Sequence, residues 1–360
     1  MPRKTEEYQL LPLLLKFISE VRRGKHIQKS GKVIKKSSLE NYRHLYNLLD
    51  QYTASRGVEL RLKTVTRMPQ REFKAEQKYW KKFYMEFTAF LYDDLKHFDN
   101  YVTMMVKLLR SFFNYLNQEK GLDIGTFHKN FHSAGEEIEI VVLTPERLHF
   151  LTHSEEFRET LDEKLRKVKD IFVFGCTVGL RYSDLMALAP INIESLDGKV
   201  YLSVKSKKTQ TQTRVKLPDY ALQILERYKG PKKRLLPYYH KVYMNKYLKE
   251  LMEKAGWTEP FLRRRQRRGV PVEVYKDPIK KVPYRFCDMI TTHTMRRTAI
   301  TTMLSLGMNE QVVRKISGHA ANSKEFYRYV SFAQSYQDRE IDLVHQKMGK
   351  NQSLQPENRP

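Results

Sequence analysis

Apolar residues recur at helical spacing through the first third of the chain. Tyr8–Val21 carries one such run. Leu39, Tyr42, Leu45, Leu48 and Leu49 mark a second over Leu39–Tyr52, opened by a capping-box pattern with Ser37 three residues before Glu40. Glu72–Leu95 is a third, rich in Trp80, Phe83, Tyr84, Phe87, Phe90 and Leu91. A fourth follows Asn100 as N-cap, with Val102, Met105, Leu108, Leu109, Phe112, Phe113 and Leu116 on one side, before Gly121 stops it. This pattern predicts a helical bundle. Lys129–Glu139 has no hydrophobic period and reads as a linker. Thr144-Pro145-Glu146 then gives an N-cap, a proline at the first helical position and an acid in the first turn.

Beyond it the pattern is mixed. Val200, Leu202 and Val204 alternate with polar positions, as do Val215 and Leu217, and the polar Lys205–Arg214 between them predicts a β-hairpin. Pro218 ends it, and helical patterns return at Ala221–Tyr228 and Tyr243–Ala255. Phe261–Phe286 is basic and partly β-branched, which predicts a second, exposed hairpin. Thr292–Met348 is helical again, and Gly349–Pro360 reads as a loose tail. The expected fold is mainly α with small β-hairpins (α+β): a helical domain over 1–128, a linker over 129–141, a mixed domain over 142–348 and a tail over 349–360. No internal repeat is evident.

Charge narrows the function. Among 360 residues, 66 Lys and Arg face 41 Asp and Glu, a formal net charge of +25. Such an excess needs an anionic partner, and nucleic acid is the leading one. Two cysteines, Cys176 and Cys287, support neither a disulfide framework nor a zinc module built on cysteine pairs, and read as buried thiols. No apolar run approaches the roughly 20 residues of a membrane span, and Met1–Glu7 does not open a signal peptide. The expectation is a soluble, cytoplasmic, nucleoid-associated protein.

No phosphate-binding GxxxxGK[ST] loop and no HExxH is present. His128 and His132 stand at i,i+4 without a carboxylate and read as surface histidines. The chemistry-bearing residues lie in the second half. Gly179 would end an apolar helix and leave Arg181 at a junction, with Asp184 one turn into the next helix. His293 and Arg296 are three apart, so a helix presents both on one face. His319 follows Gly318 at a helix end, and Tyr327 and Tyr329 lie just beyond. Each alone has an ordinary reading: a surface cation, a capping histidine, a packing tyrosine.

Their joint order resembles the tyrosine recombinases, the integrases of phages and mobile elements and the Xer-type resolvases. Arg181, Lys207 or Lys208 in the hairpin, His293-x-x-Arg296, Gly318-His319 and a tyrosine shortly after carry the resemblance over about residues 142–345. The preceding helical domain is similar to the family's core-binding domain, and no separate arm-binding domain is evident. The resemblance implies a C-shaped clamp around double-stranded DNA. It implies cleavage and rejoining through a covalent 3′-phosphotyrosine, with no cofactor, ATP or metal.

In that scheme Arg181 and Arg296 hold the phosphate, His293 and His319 assist proton movement or donate to the phosphate, and Lys208, with Lys207 as alternative, protonates the leaving oxygen. The nucleophile is Tyr329, with Tyr327 as alternative. The family commonly places it nine residues after the histidine, where this chain has Arg328. Asp184 would orient a catalytic side chain, and Arg297 would be a supporting or phosphate contact. The basic run Arg263, Arg264, Arg265, Arg267 and Arg268, with Lys276, Lys280 and Lys281, is expected to contact the DNA backbone. The amphipathic Ser331–Met348 is expected to dock on a neighbouring protomer or on its own domain. Expected partners are further copies of the chain, dimer to tetramer on DNA, and DNA-bending or directionality factors. The competing readings are a non-catalytic architectural DNA binder and a type IB topoisomerase-like relaxing enzyme.

Overall fold

The computed structural model describes residues 6–24, 36–132, 134–206, 211–230 and 233–333, with 338, 341, 342 and 345 beyond them. It runs β1 (Glu7–Gln9), α1 (Leu10–Arg22), α2 (Lys36–Arg56), β2 (Arg61–Lys63), α3 (Gln70–Ala89), a π-helical turn (Phe90–Asp94), α4 (Asp99–Gln118) and a 3-10 turn (Phe127–Asn130). Then follow α5 (Pro145–His153), α6 (Glu155–Thr160), α7 (Glu163–Val178), α8 (Tyr182–Leu185), β3 (Ile193–Leu196), β4 (Lys199–Lys205), β5 (Gln212–Lys216), α9 (Asp219–Arg227) and α10 (Lys241–Lys254). The chain continues through β6 (Pro260–Phe261), β7 (Arg263–Arg267), β8 (Val270–Val274), β9 (Tyr284–Arg285), α11 (Phe286–Met289), α12 (Thr292–Ser305), α13 (Glu310–Ser317) and α14 (Lys324–Phe332). Ser331–Met348 beyond α14 falls largely outside the described residues, as does the whole of Gly349–Pro360. Among the described residues, no helix is long and apolar enough to cross a membrane.

The fold is mainly α with small antiparallel sheets. It divides into two compact units: Met1–Ile138 with Arg264–Val274, and Glu139–Arg263 with Tyr275–Pro360. In the first, the helical stripes meet in one aromatic core. Trp80 is 2 % exposed and packs edge-on to Phe83 and Phe113. Three local details differ from the sequence pattern. Tyr8 belongs to β1, paired with Leu62 of β2, so the first helix starts at Leu10. The Glu72–Leu95 stripe ends in the π-turn, where Leu95 N donates to Phe90 O and both Phe90 and Leu91 stay buried. Asn100 is not the N-cap, a position held by Phe98; its amide instead clasps the backbone of Glu136 through Nδ2 to O (3.0 Å) and Oδ1 from N (3.1 Å).

That clasp pins the stretch expected to be a free linker. Phe131 is buried in the core, and Thr103 Oγ1 donates to Ala134 O at 2.9 Å. His128 is not a surface residue: it is 3 % exposed, stacked on Phe113, and 2.8 Å from Asn114 Oδ1. Burial, with help from Arg110 and Lys129, pulls its pKa down to about 4.

The second hairpin, β7–β8, forms as expected but folds with the first unit. Glu136 accepts from Arg265 Nε at 2.7 Å and from Gln266 N, and Asp99, 3 % exposed, accepts from Arg268 N (2.8 Å) and Gly269 N (2.9 Å) at the turn. These two acceptances hold Arg268 in a left-handed backbone conformation, φ +54°, that a side chain disfavours.

In the second unit, α7 is buried around most of its circumference and packs against α10 and α12. On α7, Asp170, 1 % exposed, binds Arg158 (2.7 Å), Arg227 (3.1 Å) and the Tyr228 hydroxyl (2.9 Å). The expected hairpin is β4–β5, joined by β3 into one sheet in which Leu202 faces Val215 and Val204 faces Thr213. A small cluster, Ile140, Ile300, Leu304, Val313, Phe326 and Tyr329, knits α12, α13 and α14 together. Cys176 and Cys287 are both buried and free.

Removing the Glu136 carboxylate strands the mostly buried Arg265 guanidinium, which costs about 3 kcal/mol. Glu136→Ala is therefore expected to accelerate amide exchange throughout 264–274 while leaving α7 and α12 protected. Unchanged exchange in the hairpin would refute this.

Candidate active site

The site is assembled from helix ends. Gly179 caps α7 with φ +64°, a conformation glycine reaches without cost, and this turns the chain so that Arg181 stands at the N-terminus of α8. The Arg181 guanidinium donates to Ser206 Oγ at 3.2 Å, and that hydroxyl donates to Asp184 Oδ2 at 3.1 Å. Asp184 and Ser206 are both 4 % exposed. Asp184 thus acts on Arg181 through a serine that sequence reasoning did not single out. Ser206 closes the root of the β4–β5 hairpin, its N donating to Thr211 O at 2.9 Å. Lys207 and Lys208, in the tip, lie outside the described residues.

Thr291 caps α12, accepting from His293 N and donating its own N–H to Thr294 Oγ1. The helix then presents His293 and Arg296. Arg296 is 3 % exposed. Its guanidinium donates to Gly179 O at 2.9 Å and meets His319 Nε2 at 3.0 Å. A guanidinium only donates, so the ring accepts; the same Arg296 nitrogen lies 3.3 Å from His319 Nδ1, which is 2.8 Å from Ser317 Oγ, and that hydroxyl donates to Arg314 O. Gly318 makes this placement possible. Its φ is +61°, and a Cβ there would come within 2.8 Å of Thr211 Oγ1, so the hairpin root packs directly on the turn that carries His319.

The electrostatics follow from crowding cations. Burial, then Arg296 and Arg181, pull the His319 pKa down to about 3. Desolvation, then Arg297, Arg296, Lys241 and Arg181, lower His293 to about 4, although the residue is exposed at the surface. Burial and Arg181 draw Arg296 down to about 10, which leaves it charged at neutral pH.

The two candidate nucleophiles separate. Tyr329 is 1 % exposed, its ring centroid 5.9 Å from that of His319. Burial and Glu325 raise its pKa; the positive charges of Arg297 and Arg296 and a hydrogen bond with Arg297 oppose the rise. Tyr327 is 47 % exposed and turned to Arg314, which lies 5.4 Å over its ring. The structure brings Arg181, Asp184, Arg296, His319, Arg297 and Tyr329 into one neighbourhood, with His293 at its open edge, and leaves Tyr327 out.

The basic residues of 263–281 are spread differently. Arg265 pairs with Glu136, Arg267 donates to Lys96 O, and Arg268 pairs with Asp93. Arg263 lies over the Tyr284 ring and Lys276 pairs with Asp288. Arg264, Lys280 and Lys281 are exposed.

A histidine whose folded pKa lies below the ordinary value of about 6.5 leaves the unfolded chain binding more protons as pH falls. Stability present above pH ~6.5 is therefore lost progressively toward pH ~4. The DNA-free protein is expected to show a falling Tm from pH 7 to 5, with the His319 imidazole still neutral by ¹⁵N NMR at pH 5. A His319 titration midpoint near 6.5 would contradict the packing described.

The sequence model of the phage integrase family matches residues 151–335, just over half of the chain. No curated protein matches. Among solved structures, a lambda integrase dimer bound to a COC′ core site is similar at 13 % identity and a TM-score of 0.53, over 90 % of this chain and 78 % of that one. The XerH site-specific recombinase bound to a palindromic difH substrate, a post-cleavage complex, is similar at 13 % identity and 0.56, over 93 % and 96 %. The Tn1549 transposon integrase in complex with circular intermediate DNA is similar at 16 % identity and 0.51, over 89 % and 94 %. At these identities the likeness speaks for the fold, and the family match goes further: the chain belongs to the phage integrase family and is a site-specific recombinase of the tyrosine type.

Proposed function

We propose that the protein cuts and rejoins double-stranded DNA with Tyr329 as the attacking group. The observation that carries this reading is the convergence of Arg296, His319 and Tyr329, with Arg181 held beside them by Ser206. An incoming phosphodiester gives the two guanidiniums an anion to hold. Their forks match its nonbridging oxygens and offset the charge that builds in the pentacoordinate transition state. Arg296 then exchanges its contact with His319 for one with the phosphate, which frees His319 Nε2 to take the phenolic proton. The bond from Tyr329 Oη to phosphorus forms as the bond from phosphorus to the 5′ oxygen breaks. Lys208, or Lys207 beside it, returns a proton to that oxygen. His293, neutral at the edge of the site, steadies the phosphate.

The 3′-phosphotyrosine keeps the energy of the phosphodiester, so the reverse attack by a 5′-hydroxyl rejoins DNA without a nucleotide. The exposed cations Arg264, Lys280 and Lys281 suit backbone contact. Arg263, Arg265, Arg267, Arg268 and Lys276 carry charge toward DNA only as far as their intramolecular partners leave it available. The structures of related folds contain DNA, and one contains a dimer; this supports assembly of two to four copies on a DNA site, with DNA-bending or directionality factors as further partners.

The test is covalent trapping. Protein incubated with a random-sequence duplex pool and denatured is expected to carry an attached strand at Tyr329, located by peptide mapping. Tyr329→Phe is expected to lose the adduct by more than about 10³-fold, as removal of a nucleophile does, while DNA binding is retained. Loss with Tyr327→Phe instead would move the nucleophile. No adduct on any duplex would end the reading.

A further inference from the structure

Beside Arg181 and His293 lies a cavity of about 580 Å³ that the chemistry above does not use. Its opposite wall comes from the segment leading into α10: Arg234, Tyr238, Tyr239, His240 and Lys241. We propose that this cavity is a second phosphodiester subsite. It takes the phosphate adjacent to the scissile one on the cleaved strand, with the intervening deoxyribose against the Tyr238 ring. The proposal rests on the strand-cleaving function above and extends it.

Three observations carry it. First, the cavity is shared: Arg181 and His293 both line it, so a strand whose scissile phosphate they hold runs beside it. Second, its far wall offers cations without anions. Arg234 and Lys241 are exposed, and among the described residues no carboxylate pairs with either. By contrast, Arg285 and Arg214 elsewhere in the unit are matched by Glu253 and Glu194. Arg234 is instead held by an aromatic face, 4.3 Å from the centroid of Tyr238. His240 Nδ1 accepts from Val242 N at 3.4 Å, so the ring proton sits on Nε2 as a further donor. Third, the cavity is larger than one phosphate and has an aromatic wall. Tyr238 is 54 % exposed, with Arg234 lying over its ring. A lone anion has no use for such a face; a sugar between two phosphates does. Several cations and an exposed aromatic ring lining one cavity match the repeat of a single strand.

The experiment uses the full-length protein and a duplex recovered by covalent trapping. A neutral methylphosphonate is placed in turn at the phosphate on each side of the scissile one. With wild-type protein, one of these substitutions is expected to slow adduct formation about tenfold, the loss of one charge-assisted contact. In the Arg234→Ala/Lys241→Ala variant the unmodified duplex is slowed similarly, and the methylphosphonate adds no further loss. The slope of log affinity against log salt falls by about 1 for each cation removed. Tyr238→Ala weakens binding of the same duplex. Both cations are exposed, and an unchanged Tm verifies folding. If the methylphosphonate penalty at both flanks persists in full in the double variant, the subsite is wrong while the recombinase reading stands. If wild-type protein forms no adduct on any duplex, the earlier reading is what has failed.

Discussion

The candidate site holds several positive groups close together, and their mutual repulsion and desolvation are the constraint on this unit. Arg296 is almost wholly buried, and among the described residues no carboxylate pairs with it. The fold answers with dipoles and lone pairs in place of anions: the α7 C-cap carbonyl at Gly179, the acceptor nitrogen of His319, and a serine between Arg181 and Asp184. Each satisfies a donor without neutralising the charge. A carboxylate in direct contact would stabilise the empty state and compete with the substrate. Holding Asp184 one hydroxyl away from Arg181 keeps orientation while weakening that competition.

The same constraint explains why the histidines are neutral. A cationic imidazole among Arg181, Arg296 and Arg297 would add to the repulsion, so both pKa values fall. Neutral imidazoles are what a protonated, buried phenol requires of its surroundings if its proton is to leave. Arrival of a phosphate reverses the balance, because its negative charge favours the protonated ring. In the proposed reaction, substrate binding therefore supplies the driving force for the proton transfer that the empty site disfavours.

Much of this was legible in the sequence because helix ends have local causes. Gly179 before Arg181, Thr291 before His293 and Gly318 before His319 each mark a boundary, and the structure puts one of the candidate side chains at each one. What local pattern could not reveal was pairing at long range. Ser206 is one serine among many until Arg181 and Asp184, 25 and 22 residues away, are folded onto it. The different settings of Tyr327 and Tyr329 follow from the direction each takes from α14, which a run of alternating aromatic and basic residues does not encode. His128 and the stretch around Glu136 looked exposed because their partners, Asn114, Asn100 and Arg265, lie far off in sequence. The run at 263–268 has partners hidden in the same way: Arg265 and Arg268 pair with Glu136 and Asp93, and the backbone N–H groups of its turn donate to Asp99.

The hairpin also bears on how the chain is made. Glu136 and Asp99 are buried acceptors whose partners lie 129 to 170 residues downstream. A ribosome that has released the whole helical bundle has not yet delivered the backbone and guanidinium groups those two carboxylates need. The amino-terminal bundle therefore emerges with these two carboxylates lacking their hairpin partners, and it reaches its final state only when synthesis has passed Val274. Folding of this protein is not strictly vectorial: its first part waits for an insertion that is translated within its second.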